Sequence, residues 1–226
     1  MGKLLLVRHG QASWGADDYD VLSPLGWEQS RMLGDSLGAR NLVPDLVLHG
    51  SMRRHRETAE ATLDRAGWSD VETVEDRGWN EFDHVGMLAA EPVPFGDREP
   101  SKAEFQTWFE SATDRWISGS SDADYTESFA AFGKRVIEAL QRTQALVGRD
   151  GTAVVFTSGG PISWVAAALL AGGPDEIDPG AARIWASLNR VVVNSSVTKV
   201  VHGSRGSTLV SFNEHVHLEG DVLTYR

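Results

Sequence analysis

Four short stretches of the chain carry side chains suited to handling an anion or a proton, and they lie far apart in sequence. Arg8-His9-Gly10 closes the apolar run Leu4-Leu5-Leu6-Val7. Ligands of open α/β sheets collect at the carboxyl ends of strands, and an imidazole there can act as nucleophile, general base or metal ligand. A neighbouring guanidinium such as Arg8 can fork onto phosphate oxygens. Motifs this short recur by accident, so a solvent-capped strand-end histidine is the plain alternative. Arg53-Arg54-His55-Arg56-Glu57-Thr58-Ala59 puts three arginines where a helix should start. The macrodipole disfavours each such cation by about 0.3–1 kcal/mol, and a bound anion would reverse that sign. The alternative is a solvated basic face paired with Glu57 and Glu60. In Trp79-Asn80-Glu81-Phe82-Asp83, Glu81 lies among apolar and aromatic neighbours. An enclosed carboxyl keeps its proton to higher pH, which suits a general acid; an exposed loop acid is the competing reading. Finally, Val154 to Ile162 reads as strand, tight glycine turn and helix, with Ser158 and Gly159 at the turn. The N–H groups opening such a helix make a seat for an anion. It is not a nucleotide-binding P-loop, because no Gly-Lys-Ser/Thr follows.

The elements that must position these residues alternate. Lys3 to Val7 reads as a buried strand feeding a loop, and residues 11–22, with Gly15, Asp17 and Asp18, as polar loop. Ser23-Pro24 has the pattern of an N-cap followed by Pro at the first helical position, giving a helix to about Leu37 that stops near Gly38. Pro44 to His49 is a second strand, Arg53 to Ala66 a helix ended by Gly67, and Val71 to Val74 a third short strand. From Asp83 to Ser128 the rhythm breaks: Pro92, Pro94, Pro100, several glycines and scattered aromatics read as an inserted cap or lid. Helical spacing returns from Phe129 to Val147 (Phe132, Val136, Leu140, Thr143, Val147). Thr152 to Thr157 is a strand and Ile162 to Leu170 an apolar helix. Arg190 to Asn194, Ser196 to His202 and Leu209 to Asn213 read as late strands. This alternation predicts an α/β three-layer sandwich: a mostly parallel central sheet with helices on both faces, one domain over 1–226 carrying the insertion at about 83–128.

At 226 residues the chain can bury a continuous core without staples. It has no cysteine, which excludes a disulfide framework, thiolate metal sites and a Cys nucleophile, and fits a reducing compartment. A net charge of −11 argues against nucleic acid or an anionic membrane as partner. The opening apolar run is too short for a signal segment or a membrane span. The expectation is a soluble, cytoplasmic protein; its oligomeric state is not legible.

Taken in order, the motifs resemble the histidine phosphatase (phosphoglycerate-mutase-like) superfamily, over Lys3 to about Leu218. Leu5-Leu6-Val7-Arg8-His9-Gly10-Gln11 is similar to its opening signature, and Leu22-Ser23-Pro24-Leu25-Gly26-Trp27-Glu28-Gln29 to its helix entry. Arg54-x-x-Glu57-Thr58-Ala59 resembles its Arg-x-x-Gln-Thr-Ala segment, with Glu for Gln. Asn80-Glu81-Phe82-Asp83 resembles its acid-bearing segment, and Asn213-Glu214-His215-Val216-His217-Leu218 its closing one. The resemblance implies that His9 attacks phosphorus to form a phosphohistidine. Arg8 and Arg54, with Ser158 and Gly159, would hold the phosphoryl oxygens. Glu81 would protonate the leaving alcohol and then activate water, with no metal or organic cofactor. The partner would be a small phosphorylated substrate or a phosphoprotein. The resemblance also sets a departure: the family turn after the late strand usually carries a second histidine where Ser158 stands. A hydroxyl donates a neutral hydrogen bond, about half as strong as an imidazolium's. His55 or His202 is then a candidate to swing in. Mutase branches show Ser and Trp-Asn after the opening signature and Glu-Arg-x-Tyr-Gly-x-Leu at the acid. Here Ala12, Trp14-Gly15 and Glu81-Phe82-Asp83-His84-Val85-Gly86 stand instead, which favours a phosphatase over a phosphoglycerate mutase.

Two other readings stay open. One is a catalytically weakened phospholigand- or partner-binding member of the same fold. The other is a serine hydrolase using Ser158 with Asp178 and His202 or His217, against which Phe156 occupies a position that a nucleophile elbow needs small. Of the eight tryptophans, Trp27, Trp164 and Trp185 read as core, while Trp14, Trp79, Trp108 and Trp116 are candidates for a pocket wall. The histidines show no metal-ligand cluster beyond His215-x-His217, and no metal is expected.

Overall fold

Strand-forming runs without a charge, Leu4 to Val7 and Ala153 to Phe156, are completely buried, as strands covered on both faces must be. They lie at the centre of the sheet in the computed structural model, which describes residues 1–13, 20–96, 98–173 and 179–225. The strands are β1 (Gly2–Arg8), β2 (Leu46–His49), β3 (Thr73–Glu75), β4 (Thr152–Thr157), β5 (Val197–Gly203) and β6 (Gly206–Glu214). The helices are α1 (Pro24–Ala39), α2 (Arg53–Ala66), α3 (His84–Ala89), α4 (Lys102–Ser118), α5 (Phe129–Val147), α6 (Gly159–Leu170) and α7 (Pro179–Asn189). The sheet order is β3-β2-β4-β1-β5-β6. β3, β2, β4 and β1 run parallel, and β5 and β6 form an antiparallel edge. The expected α/β class with a mostly parallel sheet is therefore the observed one.

Alternation along β1 sorts its side chains. Leu5 and Val7 join Leu33, Leu37, Ala59, Val47, Val154 and Phe156 in one cluster, the face covered by α1 and α2. Leu4 and Leu6, equally buried, point the other way. Helix α6 is buried nearly all round and packs on β1, β6 and α7, consistent with its uniformly apolar sequence.

Local signals placed several boundaries as expected. Ser23 caps α1 by accepting from Gly26 N, and Gly67, at φ 72°, ends α2. One expectation fails and one element was not foreseen. Arg190 to Asn194 is irregular and not a strand, because the chain turns at Ser195 (φ 59°) and its backbone groups bond to side chains instead: Val193 N to Asn213 Oδ1 and Val191 O to Asn213 Nδ2. Helix α7 was not among the elements expected; its core residue Trp185 was.

The chain divides into two compact units, Met1–Glu81 with Val136–Arg226, and Phe82–Arg135. The second contains the segment 83–128. Within it Phe82, Trp116, Phe129 and Phe132 form an aromatic cluster, with Phe82 and Trp116 stacked at 5.0 Å. Ser101 and Glu104 close a capping box at the start of α4. Trp116 is thus core and not pocket wall, its indole N–H held by Glu127 O. Trp79 is likewise enclosed in the first unit, donating to Thr143 Oγ1. Trp108 does line a concavity of about 480 Å³ within the second unit, beside Pro92, Pro94 and Phe95. Trp164 and Trp185 are core as expected, whereas Trp27 is half-buried under the Arg31 guanidinium. Trp14, with Gly15, Asp17 and Asp18, and Asp178 lie outside the described residues.

Candidate active site

The carboxyl ends of β1, β2 and β4 lie side by side, and the direction of strand progression reverses among them, the place where such sheets bind ligands. His9 follows β1, His49 ends β2, and Ser158 follows β4 at the start of α6. His55 comes from the first turn of α2.

His9 is held by its own backbone surroundings. Its N–H donates to Thr157 O, and its carbonyl accepts from Asn194 Nδ2 and Ser195 N. Its Nδ1 lies 2.6 Å from Gly10 O. A carbonyl only accepts, so the proton sits on Nδ1 and Nε2 keeps its lone pair. Burial first, then the positive charges of Arg54 and Arg8, hold His9 well below the ordinary imidazole value of 6.5. The ring is therefore a neutral nucleophile or base near neutral pH. Close backbone contact fixes the loop that follows. A Cβ on Gly10 would meet Gly26 O at 2.3 Å, and one on Gly26 would meet Gln11 O at 2.1 Å. Gly10 N donates to Thr58 Oγ1, Gln11 N to Gln29 Oε1, and Leu22 N to Glu57 Oε2.

The helix-start arginines divide. Arg53 is exposed and pairs with Glu57 at 2.8 Å, while Glu57 itself is buried and also accepts from Leu22 N, so the pair is not the fully solvated face of the plain alternative. Arg54 is 3% exposed and reaches inward; Nη1 pairs with Asp20 at 2.8 Å, and its charge is felt by both His9 and His55. Arg8 Nη1 donates to the carbonyls of Val192 and Tyr225, while its Nε lies 3.6 Å from where a Cβ of Gly159 would be. Nothing in the sequence marked Asp20 as the Arg54 partner, or Asn194 as a clamp on His9.

Ser158 and His55 are both fully buried, and His55 Nε2 lies 2.6 Å from Ser158 Oγ. No swing is needed to bring His55 in. The His9 and His55 rings are 5.7 Å apart, tilted by 33°. Burial, Arg54 and then His49 hold His55 well below 6.5. His202 is excluded from this group: it pairs with Gly2, at the opposite end of β1. That removes it from the serine-hydrolase triad too, and His217 instead lies 3.1 Å from Ser195 O. Glu81 is half-buried, not enclosed; its Oε2 accepts from Gly160 N at 3.3 Å, so its carboxyl group faces the N-terminus of α6 beside Ser158 and Gly159. No group of three or more potential metal ligands exists among the described residues.

A buried imidazole, two guanidiniums and a helix N-terminus thus lie at the switch point of an α/β sheet. The family model of the histidine phosphatase superfamily (branch 1) matches residues 4–215, and the chain belongs to that family. Among curated proteins it is 30% identical over 156 residues to a 2,3-bisphosphoglycerate-dependent phosphoglycerate mutase of Corynebacterium efficiens, a match covering 64% of this chain and 60% of that one. It is 35% identical over 88 residues to the mutase of the same name from Mesorhizobium japonicum, covering 36% and 42%. The chain thus spans between about two fifths and three fifths of these relatives. In fold it is similar to Entamoeba histolytica phosphoserine phosphatase in complex with phosphoserine (TM-score 0.66, 21% identity, 97% and 100% covered). It is also similar to a mycobacterial glucosyl-3-phosphoglycerate phosphatase (TM-score 0.61, 21% identity, 95% and 99% covered). No helix among the described residues is long and apolar enough to cross a membrane.

Proposed function

We propose that the chain is a phosphatase that hydrolyses a phosphomonoester through a phosphohistidine on His9. The observation that carries this reading is the Nδ1–H to Gly10 O hydrogen bond, which leaves the Nε2 lone pair of a buried, neutral imidazole beside the Arg54 and Arg8 charges. Nε2 attacks phosphorus while the bond to the leaving alcohol oxygen breaks, and the Glu81 carboxyl supplies that oxygen's proton. Water then attacks the phosphohistidine, Glu81 takes its proton, and phosphate leaves with His9 restored. Arg8 and Arg54 stabilise the oxygens of the transferring group, together with Ser158 and the Gly159 N–H. The mechanism uses neither metal nor organic cofactor.

In this reading the substrate is a small phosphorylated molecule or a phosphoprotein, and the cytoplasm is its place, on the cysteine-free composition. Residues 83–128 are the cap that selects the leaving group, supported by their break in strand–helix rhythm and their packing as a unit of their own. Rapid quench with ³²P-labelled substrate should trap an acid-labile, alkali-stable phosphoenzyme, and His9→Ala should abolish both it and turnover. Retention of label in His9→Ala would end the proposal. A phosphoglycerate mutase is the second reading, favoured by the names of the curated relatives. Transfer between positions of a phosphoglycerate, outpacing release of inorganic phosphate, would select it. A catalytically weakened phospholigand binder is the third, motivated by Ser158. Tight phosphate binding by calorimetry, with p-nitrophenyl phosphate turnover no greater than His9→Ala shows, would select that.

A further inference from the structure

Ser158 stands at the N-cap of α6 with the extended backbone of a capping residue (φ −115°, ψ 173°), yet its side chain makes no capping bond. Serine is among the residues preferred there because its oxygen takes up an orphan N–H of the first turn. In this chain the hydroxyl is committed to His55 Nε2, at 2.6 Å, with both residues sealed from solvent. The other ring nitrogen, Nδ1, has no hydrogen-bond partner among the described residues and faces Gly50, where a Cβ would sit 2.4 Å away. A neutral imidazole carries one N–H. On Nδ1 that proton would be a buried donor without an acceptor, the rarer kind of orphan; on Nε2 it is satisfied by Ser158 Oγ.

We infer that His55 and Ser158 work as one unit: the His55 Nε2–H donates to Ser158 Oγ and turns the hydroxyl proton away from the imidazole, toward an oxygen of the phosphoryl group at the start of α6. This rests on the phosphatase reading above. His55 is a positioning residue acting through Ser158, and Ser158 is the group that touches substrate. A hydroxyl that already accepts a hydrogen bond is polarised and donates a stronger one. The opposite tautomer would make His55 a base for Ser158 and turn the serine into a nucleophile, so the position of one proton separates the two chemistries.

The first measurement needs no activity. In the full chain labelled with ¹⁵N-histidine, His55 should show the Nε2–H tautomer near neutral pH, and Ser158→Ala should shift its Nε2 signal. An Nδ1–H tautomer overturns the inference, whether or not the chain is a phosphatase. The second is kinetic. Ser158→Ala and His55→Leu should each lower kcat on the order of a hundredfold with little change in KM. The double variant should be no slower than the worse single one. His55→Gln, which keeps a donor, should recover most of the rate. Independent, multiplicative losses in the double variant, or no recovery with Gln in chains of normal melting temperature, overturn it. So does an acid-stable phosphoserine on Ser158. Absence of His9-dependent turnover in the wild type would instead end the phosphatase reading, and leave the tautomer measurement to decide the pairing.

Discussion

His9 and Arg54 show how burial sets chemistry one side chain at a time. An exposed imidazole is half protonated near pH 6.5, whereas His9 is kept neutral first by desolvation and then by the flanking guanidiniums. The acid limb of kcat/KM, which reports the free enzyme, should therefore fall below pH 6.5. A limb centred above that value, assigned to His9 by its loss of labelling, would contradict the burial argument. Sequence alone singled out Arg8 and His9 at a strand end, Arg54 as a cation at a helix start, Glu81 among apolar neighbours, and Ser158 and Gly159 at a strand-to-helix turn, and the family resemblance gave them their expected roles. It did not show that Arg54 pairs with Asp20 or that His55 meets Ser158, since those partners lie 34 and 103 positions apart.

At the scale of elements, the site depends on how closely the loop after β1 lies against the first turn of α1. Gly26 and Gly10 allow backbone to touch backbone there, with Gln29 and Thr58 tying down the same loop. Gly26→Ala should cost about 1–3 kcal/mol in urea unfolding and also displace His9, lowering kcat. Gly38, in the last turn of the same helix, is the control: a Cβ there would meet Ala66 Cα at an ordinary 3.4 Å. Gly38→Ala should be neutral or stabilise by up to about 1 kcal/mol through the unfolded chain, with activity unchanged. Equal losses from both variants would refute the contact argument. The boundaries of α2, α5 and β4 were legible from periodicity, caps and glycines, because local forces set them. The irregular stretch 190–194 was not, because Asn213 and the turn at Ser195 override its strand-like composition.

Across the whole molecule, histidines wholly or partly withdrawn from solvent couple folding to pH. His9, His55, His202 and His217 all bind a proton less readily folded than unfolded; His217, chiefly by burial, is lowered to about 4. The unfolded chain therefore takes up protons first as pH falls. The stability these residues contribute is complete above 6.5 and is lost on acidification toward each folded value, with a slope of up to about 1.4 kcal/mol per pH unit for each histidine. Carboxylates held low by partners, such as Glu214 beside Lys199, act only below their ordinary value of 4.5, so above about pH 5 the histidines dominate the change. Urea midpoints should fall between about pH 7 and pH 5, and His217→Gln should flatten that dependence. A flat profile over this range would show that the histidines are not desolvated in the native state.

Apolar runs and helix stops were sufficient to determine the α/β class, because strand and helix periodicity and capping are local properties of the chain, and the resemblance of five motifs in order was sufficient to identify the family. Only the tertiary structure decided that His55 and not His202 stands at Ser158, that Glu81 faces the start of α6, and that Trp79 and Trp116 belong to cores. Those facts follow from strand order and burial, which bring together side chains from separate elements, and no spacing along the sequence encodes a distance across a sheet.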